Sequence, residues 1–224
     1  QAAHRTRDMT NPLIDDRDID FVLHELLDVS ALCRHTHFAD HDRETFDLYL
    51  RSTRKVAREQ LWPAYQPMDR SPPELKDGAI KVHEAMHSLY AKMVELGVVN
   101  ATRPYAVGGQ QLPFVIFSMA NAYLMAANLS AYAYLGLTTG AARLIESFGN
   151  HELKTDYMER MYSGEWTGTM ALTEPQAGSS LTDVQTRAVA TDSGHDHPAH
   201  YLIDGTKVFI SGGEHDLTDN IVHL

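Results

Sequence analysis

The residues best suited to chemistry gather in one short turn. Met170 to Ser180 reads Met-Ala-Leu-Thr-Glu-Pro-Gln-Ala-Gly-Ser-Ser, an apolar strand breaking into a segment of hydroxyls and small side chains. A strand that ends in Thr173-Glu174-Pro175 and continues through Gly178 and Ser179 presents hydroxyls and backbone N–H groups at a sheet edge. Gly178 carries no Cβ, so a flat ligand with a polar rim can approach the backbone there. The same composition also fits an ordinary strand-to-loop transition, and residue types alone leave both readings open. Glu174 lies inside the turn and reads as a partner for loop amides rather than as a general base.

Other constellations carry less. His83 and His87 stand at i, i+4 on an expected helix, but no third ligand is indicated, so no metal site is expected. His195, His197 and His200, and likewise His35 with His37, would bind metal only adventitiously. Cys33 is the single cysteine, which rules out an intramolecular disulfide or thiolate cluster and fits a reducing, cytoplasmic setting. The acidic run Asp15, Asp16, Asp18 and Asp20 reads as a solvated face. With 19 basic and 30 acidic residues the formal charge is −11, which opposes a sequence-independent grip on nucleic acid.

The elements that must position the turn follow from periodicity. Ile19, Val22, Leu23, Leu26 and Leu27, then Phe46, Tyr49, Leu50, Val56 and Leu61, recur at helical spacing and predict two amphipathic helices. Trp62-Pro63 is expected to end the second, with Gln66 to Pro73 a loop. A third helix is expected from Asp77 or Gly78 to Gly97, and Arg103 to Leu112 reads as an exposed turn around Pro104, Gly108 and Gly109. Pro113 then opens a very apolar helix from Phe114 to about Asn128, followed by helices near Thr138 to Phe148 and His151 to Tyr162. The apolar stretch Leu112 to Leu137 is interrupted by Ser118, Asn121, Asn128 and Ser130, so it reads as buried helix and not as a membrane span.

After Ser163-Gly164 the period changes from about 3.6 to 2, the signature of helix giving way to sheet. Strands are expected at Trp166 to Leu172, Thr186 to Ala190, Tyr201 to Asp204, Lys207 to Ile210 and Asn220 to Leu224. Asp204-Gly205 is expected to be the hairpin turn between two of them. The last strand has no visible closing partner, which on physical grounds suggests a fragment. Three segments result: a tail at 1–10, native or left by cloning, a helical domain at 11–163 and the first part of a β-domain at 164–224.

Several of these segments, taken in order, resemble the acyl-CoA dehydrogenase family of flavoproteins. They are Pro104-Tyr105-Ala106-Val107-Gly108-Gly109, Gly149-Asn150-His151-Glu152-Leu153-Lys154, Ser163-Gly164-Glu165-Trp166, Thr173-Glu174-Pro175, and Asp204-Gly205-Thr206-Lys207-Val208-Phe209-Ile210-Ser211-Gly212-Gly213. The run Gly213 to Asp216 and the final Asn220 to Leu224 are most similar to the large bacterial subgroup that includes 3-methylmercaptopropionyl-CoA dehydrogenase. The resemblance implies a multi-domain, mainly α fold. In it a helical bundle precedes an antiparallel β-barrel-like domain, and a C-terminal four-helix domain lies beyond Leu224.

It also implies FAD as cofactor and acyl-CoA as substrate. The flavin would be lined by Met170, Leu172, Thr173, Gly178, Ser179, Phe209 and Ser211, with Ser179 also facing the acyl-CoA. The implied reaction is α,β-dehydrogenation, a glutamate base taking the α-proton while the β-hydrogen leaves as hydride to flavin N5. That base belongs to the C-terminal domain, so no catalytic residue is assigned here and the chain alone is expected to be inactive. Electron-transferring flavoprotein is the implied acceptor, and the intact enzyme a homodimer or homotetramer. Two departures stand out: Ser180 replaces an acidic residue, with Asp183 three positions on, and Phe209 stands where tryptophan is common. An acyl-CoA oxidase, and a non-catalytic binding or assembly module, are the rival readings.

Overall fold

The computed structural model describes residues 13–191 and 200–224; the expected tail, with His195 and His197, lies outside the described residues. A short helix α1, Asp16–Asp20, is capped by Asp15, whose carboxylate accepts the Arg17 amide at 2.9 Å, and runs into a wide turn at Phe21–Leu26. Helix α2, Arg43–Val56, starts at Asp42, which accepts both the amide and the hydroxyl of Thr45. Phe46, Tyr49, Leu50, Thr53 and Val56 form its buried face.

Trp62-Pro63 does not end this helix. A π turn at Ala57–Leu61 leads straight into α3, Trp62–Arg70, and the Trp62 amide reaches back five residues to the Ala57 carbonyl. The widened turn shifts the hydrogen-bond register just before the proline, so its ring and missing N–H fall in the first turn of α3. Pro67 sits within α3, and the helix stops only at Ser71, before Pro72 and Pro73.

The expected helix start at Asp77 is likewise corrected. Strand β1, Glu74–Lys76, pairs antiparallel with β2, Ala79–Lys81, across an Asp77-Gly78 turn with φ of 51° and 81°. Two successive positive φ values define a tight hairpin that Asp-Gly forms at little cost. Helix α4, Glu84–Glu95, begins after it, with His83 Nδ1 accepting the Ala85 amide.

Helix α5 spans Phe114–Phe148 and joins the two expected helices into one, bent where Asn128 leaves helical geometry at φ −162°, ψ 88°. Asn128 is 2% exposed, and its Oδ1 accepts the Ala131 amide, so it caps the second half from within. By length and composition α5 could cross a membrane, but half of its most apolar window is buried inside the fold. Tyr123, on its first half, bonds Asp16, which also holds Arg54 and Arg58; this network fastens α1 to α2 and α5. Asn150 caps α6, His151–Leu153, which continues through a π turn into α7, Glu159–Tyr162.

Strand β3, Thr167–Thr169, lies on α5 and pairs in parallel with β6, Ile221–His223, so the last strand does have a partner. Gly168 permits the approach: a Cβ there would stand 2.6 Å from that of Ala141. Strands β4, Arg187–Ala190, and β5, Tyr201–Asp204, pair antiparallel. Residues 205–210 form no strand, and Asp204-Gly205 is not a hairpin turn, because Asp204 already faces Arg187 and the chain then crosses close over Thr186. Mainly helical in its first part and opening into short strands, the chain is a helical domain followed by the start of a β-domain.

Candidate functional site

The end of β3 and the segment after Asp204 meet at Glu174. Its backbone bridges Ala177 in both directions, closing Glu174-Pro175-Gln176-Ala177 into a tight turn. Its side chain, on a residue 4% exposed, accepts from five donors: the amides of Gln185 and Thr186, the Thr186 hydroxyl, Gln176 Nε2 and Lys207 Nζ. The Lys207 ammonium, followed by the Thr186 hydroxyl and the loop amides, holds the Glu174 carboxyl far below the usual carboxylate range. Every donor approaches the ionised form, so Glu174 is a knot in the loop, as its position in the sequence suggested.

Lys207 Nζ also donates to the Leu172 carbonyl at 3.0 Å, and the Val208 amide to that of Thr173 at 2.9 Å. These bonds lay 207–208 alongside 172–173 in place of the expected strand. They set Val208 against Thr173, with Phe209 next in the chain and Ser211 two residues further on. Met170, Leu172 and Phe209, on the two segments that these bonds join, are exposed at 44%, 40% and 93%. Phe209 also has φ of 58°, a left-handed conformation that costs a residue with a side chain about 1–2 kcal/mol.

Thr173 is half-buried, whereas Gly178 and Ser179 lie exposed just past the knot. A Cβ at Gly178 would meet nothing within 4 Å, so no neighbour among the described residues demands a glycine there. Ser211 and Gly212 face the second half of α5 across a groove of about 310 Å³, walled by Leu129, Ser130, Ala133, Tyr134 and Leu137. Gly178 and Ser179 do not line this groove.

Lys207 and Thr186 escaped the sequence reading, although Lys207 stands inside a quoted motif; a cation three residues after a strand gives no sign of which carboxylate it will meet. His83 is engaged as the cap of α4, and His87 lies 3.8 Å from Asp216. No group of three or more His, Cys, Asp or Glu able to hold a metal ion occurs among the described residues.

Residues 43–165 match the family model described as acyl-CoA dehydrogenase, N-terminal domain. The chain is 34% identical to butyryl-CoA dehydrogenase of Syntrophomonas wolfei over 218 residues, covering 96% of this chain and 35% of that protein. It is 39% identical to 3-methylmercaptopropionyl-CoA dehydrogenase of Ruegeria pomeroyi over 150 residues, 67% of this chain and 25% of that protein. Among solved structures, the acyl-CoA dehydrogenase of Geobacillus kaustophilus superimposes with a TM-score of 0.62 at 27% identity, over 81% of this chain and 43% of that one. The chain belongs to the acyl-CoA dehydrogenase family. It spans a quarter to about a third of the length of these curated relatives.

Proposed function

We propose that this chain forms the N-terminal portion of an FAD-dependent acyl-CoA dehydrogenase that carries out α,β-dehydrogenation of an acyl-CoA thioester. The observation that carries the reading is the Glu174 knot, which ties 207–208 to 172–174 while leaving Met170, Leu172 and Phe209 uncovered. Three uncovered apolar side chains next to hydroxyls and open backbone fit a flat ring that is apolar in the middle and polar at one edge. Met170, Leu172 and Phe209 would hold that ring by apolar contact, and Thr173 and Ser211 by their hydroxyls. Gly178 and Ser179 would serve the phosphate side, Ser179 also facing the acyl-CoA. When bound, FAD supplies the hydride acceptor.

The chain's own part is to bind, orient and exclude water. The groove between Ser211 and α5, apolar along Leu129, Ala133 and Leu137, receives the acyl chain and dries the carbons that react. Glu174 is saturated with donors, so the α-proton is taken by a carboxylate outside these residues. Electron-transferring flavoprotein as acceptor, a homo-oligomeric state and a cytoplasmic setting complete the proposal. The test is the visible spectrum and intact mass of protein purified without added cofactor. Flavin bands, or uptake of added FAD, support it, with bleaching by an acyl-CoA expected only where the mass is that of a longer polypeptide; colourless protein that takes up neither FAD nor an acyl-CoA overturns it.

A further inference from the structure

Two cavities meet at Tyr134. One is the groove beside Ser211 and Gly212. The other, about 180 Å³, lies under the α5 bend and is lined by Met68, Pro72, Val82, His83, Met86 and Asn128, together with the same Ser130 and Tyr134. It is built from α3, the end of the β1–β2 hairpin and the start of α4, elements that take no part in the Glu174 knot.

Two contacts hold the ring of Tyr134 between them, and a third bond ties their loop to the second cavity. His215 meets it edge-on, with centroids 5.2 Å apart and planes at 87°. His215 is itself 4% exposed and fixed on both nitrogens, by the Thr167 hydroxyl at 2.9 Å and the Leu217 amide at 3.2 Å. A Cβ on Gly212 would lie 3.4 Å from the Tyr134 ring, so that loop already rests against it. The neighbouring Asp216 accepts the Val82 amide at 3.0 Å, which pins the wall of the second cavity to the loop carrying Ser211. One loop therefore reaches the groove, the ring and the far wall.

We propose that Tyr134, positioned by His215, is a partition that limits acyl-chain length, and that the cavity under the α5 bend is the room it closes off. The inference rests on the acyl-CoA reading above. With the ring in place a short acyl chain ends against it. Without the ring, groove and cavity become one, and within a lining that also holds Asp69 and Ser71 the walls of Met68, Pro72, Val82 and Met86 suit the methyl end of a longer chain.

The test measures binding of butyryl-, hexanoyl-, octanoyl- and decanoyl-CoA by calorimetry at saturating FAD, with wild type and Tyr134→Ala. In the variant, octanoyl- and decanoyl-CoA should gain roughly fourfold in affinity for each further methylene buried, and butyryl-CoA should stay within about twofold of wild type. Adding Val82→Phe, which refills the second cavity from its half-buried wall, should erase that gain. Tyr134→Leu, retaining bulk without the ring, serves if the alanine variant fails to fold. An equal change for all four ligands, or a gain that survives Val82→Phe, overturns the partition and leaves the acyl-CoA reading standing. If folded wild type binds none of the four, both fall together.

Discussion

Adding one methyl group at Gly168 tests the contact that carries the site. Gly168 is buried in β3, its amide donates to Thr138 Oγ1 at 3.0 Å, and a Cβ there would stand 2.5 Å from Met161 Cε and 2.6 Å from Ala141 Cβ. The methionine tip can swing aside, but Ala141 Cβ is fixed to the α5 backbone. Carbon atoms prefer about 3.5–4.0 Å, so strand and helix must part by about 1 Å. Overpacking of this kind costs about 1–3 kcal/mol. For a chain of this size that lowers Tm by about 2–12 °C. The displaced strand carries Met170 to Thr173 with it, so FAD affinity should fall in step. Thermal denaturation of Gly168→Ala, Ala141→Gly and the double variant measures the contact as a cycle, and a favourable coupling of at least about 1 kcal/mol is expected. Additive effects, or an alanine variant as stable as wild type, would refute the argument that the two backbones touch through this glycine.

Three further outcomes are expected. Burial pushes the Asp16 carboxyl up, but bonds from Arg58 and Tyr123 and the charges of Arg54 and Arg58 bring it below its ordinary value. A depressed folded pKa gives stability that is present above the unfolded value and lost as pH falls through the folded one. Asp16→Asn should therefore cost about 1–2 kcal/mol at neutral pH, and the gap to wild type in pH-dependent melting should close below about pH 4. Phe209→Gly should stabilise the fold by about 0.5–1 kcal/mol, since glycine accepts φ of 58° and the ring is 93% exposed, yet weaken FAD binding in a fluorescence titration. Glu174→Gln turns an amide toward the loop donors and strands Lys207; it should weaken FAD binding by about tenfold or more, and unchanged affinity would remove Glu174 as organiser of the site.

Much of the fold was legible where one local rule acted alone. The apolar spacing of Phe46, Tyr49 and Leu50, the restart at Pro113 and the break at Gly149-Asn150 all stand in the structure. Expectation and structure part where two rules compete. Ring sterics in an α register predict a stop at Pro63, and the π turn before it changes that register. Asp77-Gly78 carried a strong hairpin signal, but three-residue strands gave too little alternation to reveal it beside the periodic stretch that follows. Asp204-Gly205 carried the same signal and formed no hairpin, because Lys207 and Val208 found partners in 172–174. The role of Glu174 as a loop knot was readable from its position, whereas its donors depend on pairings no local pattern encodes.

The parallel pairing of β3 with β6 also sets an order of events on the ribosome. Thr169 and His223, whose side chains bond at 2.7 Å, lie 54 residues apart. At synthesis rates of about 5–20 residues per second, β3 emerges roughly 3–11 s before the strand that completes its ladder. Throughout that interval its companion is α5, already synthesised and joined to it by the Gly168 amide and the Thr138 hydroxyl. The central helix thus holds one face and the far edge of this first strand, while the edge that carries the Thr167 and Ala171 amides stays open until its own neighbour is made.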